Sequence, residues 1–314
     1  MPERKKNTVI ISDSIDLSNT NILTNAGIKV IYKPEISNEL LLMLSHKIQA
    51  SAVIIRSVRK ISKLFIARSC IKVIATASKG TDHIDTLYAN KAGVKIINSE
   101  TGNSDAAAEH TMALILNIYK RINLSDYLVR AGRFTEYDFE RHNLRGKSIG
   151  ILGTGAVGSR VARLAHAFGM KVFCSDINSQ VRRSVRRTLK DINFRNADFI
   201  FGNCDVVTVH IPLENNYKFV DSRKLSLLRK KSVFINTSRG DVIDEEYLIY
   251  LLGKNKIFFA GLDVFSLEPD INKKLFRLKN AVLSNHTAGK TAEAGQSILK
   301  DIFMQVKNYV IKTA

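Results

Sequence analysis

The run Gly153-Thr154-Gly155-Ala156-Val157-Gly158 sets three glycines at G-x-G-x-x-G spacing. It lies between Ser148-Ile149-Gly150-Ile151-Leu152, a short apolar strand, and a helical stretch from Ala162 to Gly169. In that setting each glycine has a physical task. Gly153 permits a tight turn, Gly155 lets backbone approach a pyrophosphate, and Gly158 lets helix pack closely on strand. The helix N-terminus then offers free N–H groups and a positive dipole end to the phosphates, with Ala156 and Val157 counted with the glycines as cofactor residues. A second strand, Val172-Phe173-Cys174-Ser175, ends in Asp176, eighteen positions after Gly158. A carboxylate at that distance can accept hydrogen bonds from an adenosine ribose, which favours NAD over NADP.

The elements that must position this loop alternate along the whole chain. Strand-like runs are Thr8–Ser12, Ile28–Tyr32, Ala52–Ile55, Val73–Ala77 and Val94–Asn98. The spacing predicts a polar helix between the first two and a long one over Ser104–Tyr119, rich in Ala, Leu and Ile. After the glycine loop come Val206–His210, Ser232–Asn236, Phe258–Leu262 and Ala281–Ser284, then a closing helix from Thr291 to about Ile311. Alternating strands and helices imply an α/β protein with doubly wound parallel sheets.

Length and composition agree. The chain has 314 residues, room for two domains and a sizeable core, and its hydrophobic share is 45%. No apolar run of spanning length occurs, and Met1-Pro2-Glu3-Arg4-Lys5-Lys6 lacks a signal-peptide core, so no membrane association is expected. Cys70, Cys174 and Cys204 are scattered without metal spacing; no metal is expected, and the usage suits a reducing cytoplasm. The charge is unusual, with 48 basic against 29 acidic residues and a net +19. That excess admits a nucleic-acid partner. Its spread, and the absence of a DNA-reading motif, argue against one. The densest cluster, Arg182, Arg183, Arg186, Arg187 and Lys190, reads as a solvated helix face.

Further blocks carry a specific resemblance. They are Thr76-Ala77-Ser78-Lys79-Gly80-Thr81-Asp82-His83-Ile84-Asp85, Gly102-Asn103-Ser104 with Ala108-Glu109-His110-Thr111, and His210-Ile211-Pro212-Leu213. Asn236-Thr237-Ser238-Arg239-Gly240, Gly261-Leu262-Asp263-Val264-Phe265, Glu268-Pro269 and Asn285-His286 follow in order. With the glycine loop, the chain resembles the D-isomer-specific 2-hydroxyacid dehydrogenases, most of all their D-3-phosphoglycerate dehydrogenase branch. The resemblance implies a flavodoxin-like substrate domain, residues 1–101 and 287–314, with an NAD-binding Rossmann domain, 102–286, inserted, and a cleft between them. It also implies a homodimer through the long helix after Gly102.

The chemistry then follows. Hydride exchange with a 2-oxo acid needs a cation on the carboxylate, an acid for the forming alkoxide, and a partner that keeps that acid charged. Arg239, beyond the strand ending at Asn236, can grip a carboxylate through two points. His286 matches the family's acid/base, and Glu268 would orient it, ahead of its neighbour Asp270. His46 and His142 read as exposed loop or helix residues, His166 as structural, and His83, His110 and His210 as loop supports. By resemblance, Asp263 meets the nicotinamide carboxamide, and His210, Pro212 and Thr237 complete the cofactor site. The substrate residues would be Ser78, Lys79, Gly80 and Asn103, with Arg56 and Ser57 of an Arg-Ser element. Arg56, aided by Arg59 or Lys60, could meet a phosphate.

Lys79, Asn285 and Thr287-Ala288-Gly289-Lys290-Thr291 depart from the usual pattern. Three readings therefore stand beside the phosphoglycerate one. They are a glyoxylate/hydroxypyruvate or general 2-oxoacid reductase, an NAD-sensing corepressor-like protein, and nucleic-acid binding. The chain ends soon after its last helix, so no appended regulatory domain and no serine-type feedback are expected.

Overall fold

The computed structural model describes residues 7–78, 80–136, 139–189 and 191–312. The chain divides into two compact units, Met1–Asn103 with Thr291–Ala314, and Ser104–Lys290. The divisions fall two residues after the first expected junction and four after the second.

The first unit is built on β1 (Thr8–Ile11), β2 (Lys29–Tyr32), β3 (Ala52–Ile55), β4 (Val73–Thr76) and β5 (Lys95–Ile97). Every pairing is parallel, in the order β2-β1-β3-β4-β5, the flavodoxin arrangement. Strands β1, β3 and β4 are buried along their whole length, which suits their Val- and Ile-rich sequences. Their side chains alternate between two cores. Val9, Ile11 and Ile54 face Ile302, Phe303 and Val306 of the Ala292–Lys312 helix. Ile10, Val53 and Ile55 face Leu41 and Phe65 on the opposite side. The C-terminal helix thus returns to cover the sheet that the N-terminal residues began.

The second unit contains β6 (Ser148–Leu152), β7 (Lys171–Ser175), β8 (Asn193–Phe194), β9 (Val206–Val209), β10 (Val233–Asn236), β11 (Phe259–Leu262) and β12 (Ala281–Leu283). All are parallel, in the order β12-β11-β10-β9-β6-β7-β8. The order reverses between β6 and β9, the switch point where Rossmann sheets take ligands. The Ser104–Lys120 and Ala156–Ala167 helices cover one face, placing Ile115 and Val161 against Ile149 and Ile151. Phe201 and Leu248 pack on Val207 and Val209 across the other. The doubly wound α/β expectation therefore holds for both sheets.

Some details differ from the sequence reading. The stretch before Gly27 is polar and holds only one helical turn, Asn21–Thr24, of which Leu23 alone is buried. The Ile122–Arg130 helix and β8 were not expected. β8 is two residues long, too short for a periodic pattern. His142 is half-buried rather than an exposed loop residue, with its ring edge-on to Tyr119 and Phe258. Cys174 and Cys204 are buried, and burial pushes both thiols up to about 12. Among the described residues, no helix is long and apolar enough to cross a membrane.

Arg59 shows how the first unit is tied together. Its guanidinium donates to the Asp13 carboxylate at 2.7 Å, to the Ser12 and Ile36 carbonyls and to Asn38 Oδ1. Both side chains of the Arg59–Asp13 pair are 9% exposed. Arg59 is therefore a structural latch between β1 and the loop after β3, and its donors are not open to a substrate phosphate. Removing one partner of a buried pair strands the other charge, at a cost of about 3–5 kcal/mol. Arg59→Ala should lower the melting temperature by several degrees in a thermal scan, whereas Lys60→Ala, at an exposed site, should leave it within about a degree.

Candidate active site

Every expected cofactor and catalytic position of the second unit lies at or beyond the C-terminal end of a strand. β6 delivers the glycine loop, β7 Asp176, β9 His210 and Pro212, β10 Thr237 and Arg239, β11 Asp263 and then Glu268, and β12 His286. A parallel sheet does this by geometry, since all its strands end on one edge.

The glycine loop fits a dinucleotide. Gly153 has φ +86°, and a Cβ there would lie 2.9 Å from the His210 carbonyl oxygen. The turn is thus pressed against the end of β9. A Cβ on Gly158 would come within 1.9 Å of the Gly153 carbonyl oxygen, so helix and turn touch. A Cβ on Gly155 would meet nothing within 4 Å among the described residues. That open space lies at the N-cap of the Ala156–Ala167 helix, where free N–H groups favour an anion. Asp176 accepts from Thr154 N–H at 2.8 Å and Thr154 Oγ1 at 3.1 Å through one oxygen, and from Asn178 N–H at 2.8 Å through the other. Its carboxylate stays partly exposed beside the loop. Thr237 Oγ1 pairs with Thr111 Oγ1, and His210 Nε2 with Thr208 Oγ1, each at 2.9 Å. Pro212 is exposed.

The loop after β10 is latched by Asn236. Its Oδ1 accepts from the Ser238 N–H and hydroxyl, and its Nδ2 donates to the Arg239 carbonyl. Arg239 is half-buried, and NH1 donates to the Ser238 carbonyl at 2.7 Å. The imidazole of His286 meets Glu268 through Nδ1 and Oε2 at 2.6 Å. This leaves Nε2 as the ring nitrogen able to serve a substrate oxygen. The other Glu268 oxygen accepts the Phe265 N–H at 3.0 Å. Burial alone would raise the Glu268 carboxyl. The bonds from His286 and Phe265 and the nearby His286 and Arg239 charges outweigh it, holding the carboxyl below the usual range.

Asp263 is tied into the loop that follows β12. Its side chain is 1% exposed. It accepts from the Ser284 hydroxyl at 2.6 Å and from the Thr287 and Ala288 N–H groups at 2.9 Å each. Its own carbonyl accepts the His286 N–H at 2.9 Å. The carboxylate is enclosed by the loop that carries His286. His110, expected as a loop support, adds Nε2 against Ser284 Oγ at 2.9 Å. His286 itself has φ +54°, a left-handed conformation that costs about 1–3 kcal/mol in a residue other than glycine. The Asp263 bonds hold it there.

Of the residues expected on the substrate side, Arg56 and Ser57 follow β3, Ser78 follows β4, and Asn103 directly precedes the Ser104–Lys120 helix. Ser78 Oγ donates to the Gly80 carbonyl at 2.8 Å and pairs with Thr76 Oγ1, which also meets His83 Nε2. Burial pushes the His83 pKa down against the charges of Asp82 and Asp13, favouring its neutral ring. Lys79 lies outside the described residues. Asn103 Oδ1 is buried with no hydrogen-bond partner among the described residues. Arg56 and Ser57 are exposed, and Arg56 NH1 makes one long 3.3 Å bond to the Ser14 carbonyl. In the arginine cluster, Arg182 donates to the Asp176 carbonyl and Arg186 stacks 5.0 Å over Phe194. Both serve their own unit. Lys190 lies outside the described residues.

Two variants separate the glycine roles. Gly155→Ala adds a methyl group to open space, so it should weaken NADH binding in a fluorescence titration while leaving the melting temperature nearly unchanged. Gly158→Ala overpacks the turn and should cost about 1–3 kcal/mol of stability. The lowered Glu268 carboxyl gives a pH test. Its ionised form adds stability above the ordinary carboxylate pKa, and that stability is lost as pH falls through the lower folded value. The melting-temperature gap between the native protein and Glu268→Gln should therefore be widest near neutrality and shrink below about pH 4.

Comparison with known proteins gives the same reading. Residues 112–288 match the D-isomer specific 2-hydroxyacid dehydrogenase, NAD binding domain. The chain is 30% identical over 307 residues, 96% of its length, to the D-3-phosphoglycerate dehydrogenase of Synechocystis sp., and spans 54% of that protein. It is 35% identical over 232 residues to the glyoxylate reductase of Thermofilum pendens, covering 72% of this chain and 68% of that one. The crystal structure of a glyoxylate reductase from Paecilomyes thermophila shares the fold, with a TM-score of 0.88, 23% identity, and coverage of 100% of this chain and 97% of that one. The chain belongs to the D-isomer specific 2-hydroxyacid dehydrogenase family, and residues 112–288 form its NAD binding domain.

Proposed function

We propose that the protein transfers hydride between a D-2-hydroxy acid, or its 2-oxo acid, and NAD, with 3-phosphohydroxypyruvate as the 2-oxo acid. The observation that carries this reading is the His286–Glu268 pair at 2.6 Å on the sheet edge that also holds Arg239 and the glycine loop. Bound NADH supplies the hydride. Arg239 binds the substrate carboxylate and polarises the adjacent carbonyl. His286, protonated and paired with Glu268, gives the Nε2 proton to the oxygen that becomes the hydroxyl. In oxidation the same nitrogen takes that proton back. Ser78, Lys79, Gly80 and Asn103 complete the substrate contacts in this reading, and the orphaned Asn103 Oδ1 supports that part.

Arg56 supports a phosphorylated substrate, because its exposed guanidinium has spare donors. The consumption of Arg59 inside the first unit favours a second reading, in which glyoxylate or hydroxypyruvate is preferred. A homodimer through the second unit is part of the proposal. Ile122, Tyr127, Val129 and Phe134 leave apolar surface exposed there. Three free cysteines suit a reducing cytoplasm, and no nucleic-acid partner is proposed.

The test is NADH oxidation across 3-phosphohydroxypyruvate, hydroxypyruvate and glyoxylate, with NADPH as control. The proposal expects the highest kcat/KM with 3-phosphohydroxypyruvate, and Arg56→Ala should lower that value alone. Equal or better turnover of the unphosphorylated acids would select the second reading. NADH binding without turnover of any acid would point to a sensor. His286→Ala should cut kcat by about 10²–10⁴ with little change in NADH affinity, and unchanged turnover would remove His286 from the mechanism.

A further inference from the structure

Glu245 is a buried acid that the mechanism above does not use. It opens the Glu245–Gly253 helix after the N-cap Asp244 and is 7% exposed. Its Oε2 accepts the Ser266 N–H at 3.0 Å. The preceding N–H, that of Phe265, goes to Glu268 Oε1, also at 3.0 Å. Two carboxylates from different elements therefore hold consecutive amides of one turn. Gly240, directly after Arg239, lies flat against the same peptide. A Cβ there would fall 1.9 Å from the Phe265 carbonyl carbon and 2.3 Å from the Ser266 nitrogen.

We propose that Glu245 is a positioning residue for the His286–Glu268 pair, clamping the Phe265–Ser266 peptide against Gly240 and thereby fixing the turn that carries Glu268 relative to the loop that carries Arg239. The proposal rests on the dehydrogenase reading above. Glu268 has one oxygen on this turn and the other on His286, so a shift of the turn moves the carboxylate that orients the imidazole. Errors of about 1 Å at such a group can cost about a hundredfold in rate. The charged groups facing Glu245 are Glu246, Asp241 and Glu268. Glu246 is compensated by Lys274 and Asn272. Burial, with these neighbours, pushes the Glu245 carboxyl up, while the Ser266 bond opposes the rise. The clamp needs only an acceptor oxygen, which either protonation state of the acid, or an amide, supplies.

The experiment compares Glu245→Gln, which keeps an acceptor, with Glu245→Met, which removes it at similar side-chain length. Expected for Glu245→Met is a fall in kcat of about 10–100-fold, with NADH affinity and KM little changed. The alkaline limb of the reduction pH profile should move to lower pH, because the imidazolium loses a well-placed partner. Glu245→Gln should restore kcat and the profile. In a Glu268→Gln background, Glu245→Met should add little further loss. A wild-type kcat and pH profile in Glu245→Met would overturn the proposal. So would equal damage in the Gln variant, or a full additional loss in the Glu268→Gln background. The low-field proton resonance of the His286 Nδ1–H bond can be read without substrate, and it should survive in Glu245→Gln and weaken in Glu245→Met. If the wild-type protein reduces no 2-oxo acid, the dehydrogenase reading falls, while this resonance still decides the role of Glu245. Should Glu245→Met prove insoluble, loss of the resonance or of kcat in Glu245→Gln would itself refute the clamp.

Discussion

The site in the second unit depends on one buried carboxylate. Asp263, almost fully enclosed, binds a hydroxyl and two backbone N–H groups from the loop that follows β12. A buried anion is tolerable only with such a set of donors, and the donors are ordered only because the anion is there. The loop is thereby closed tightly enough to keep His286 in a left-handed conformation. Without that closure the imidazole would relax, and the 2.6 Å contact with Glu268 would have no fixed origin.

Around this anchor the backbone is brought together by glycines. Gly158 and Gly153 bring helix, turn and strand into contact at the phosphate loop. Gly240 does the same between the loops bearing Arg239 and Glu268. At each place a methyl group would overlap backbone, which cannot yield as a flexible side chain can. The resulting precision is backbone against backbone, and the proposed reaction uses it to let Arg239 and His286 address adjacent atoms of one small substrate.

Electrostatics enter on a small scale. The net +19 charge is dispersed, and several cations that look free in one dimension are committed in three. Arg59 is spent on Asp13, Arg182 on carbonyls after β7, and Arg186 on an aromatic ring. Counting basic residues along a loop therefore overstates what a phosphate could find there.

The sequence by itself determined the parallel sheets, because Val- and Ile-rich runs alternate with helical stretches and the central strands are buried along their whole length. It also determined the phosphate loop, where three glycines at fixed spacing have only one set of neighbours to serve, and it singled out Arg239, Glu268 and His286 through motif order. Only the tertiary structure decided the hydrogen-bond partners of Asp263, Arg59 and Glu245. Each is an ordinary acid or base in its local window, and its task is set by partners about 20 to 45 positions away or on another loop. Local periodicity fixes which face a residue takes, but hydrogen-bond partners are chosen by the packing of separate elements, and that information is not local.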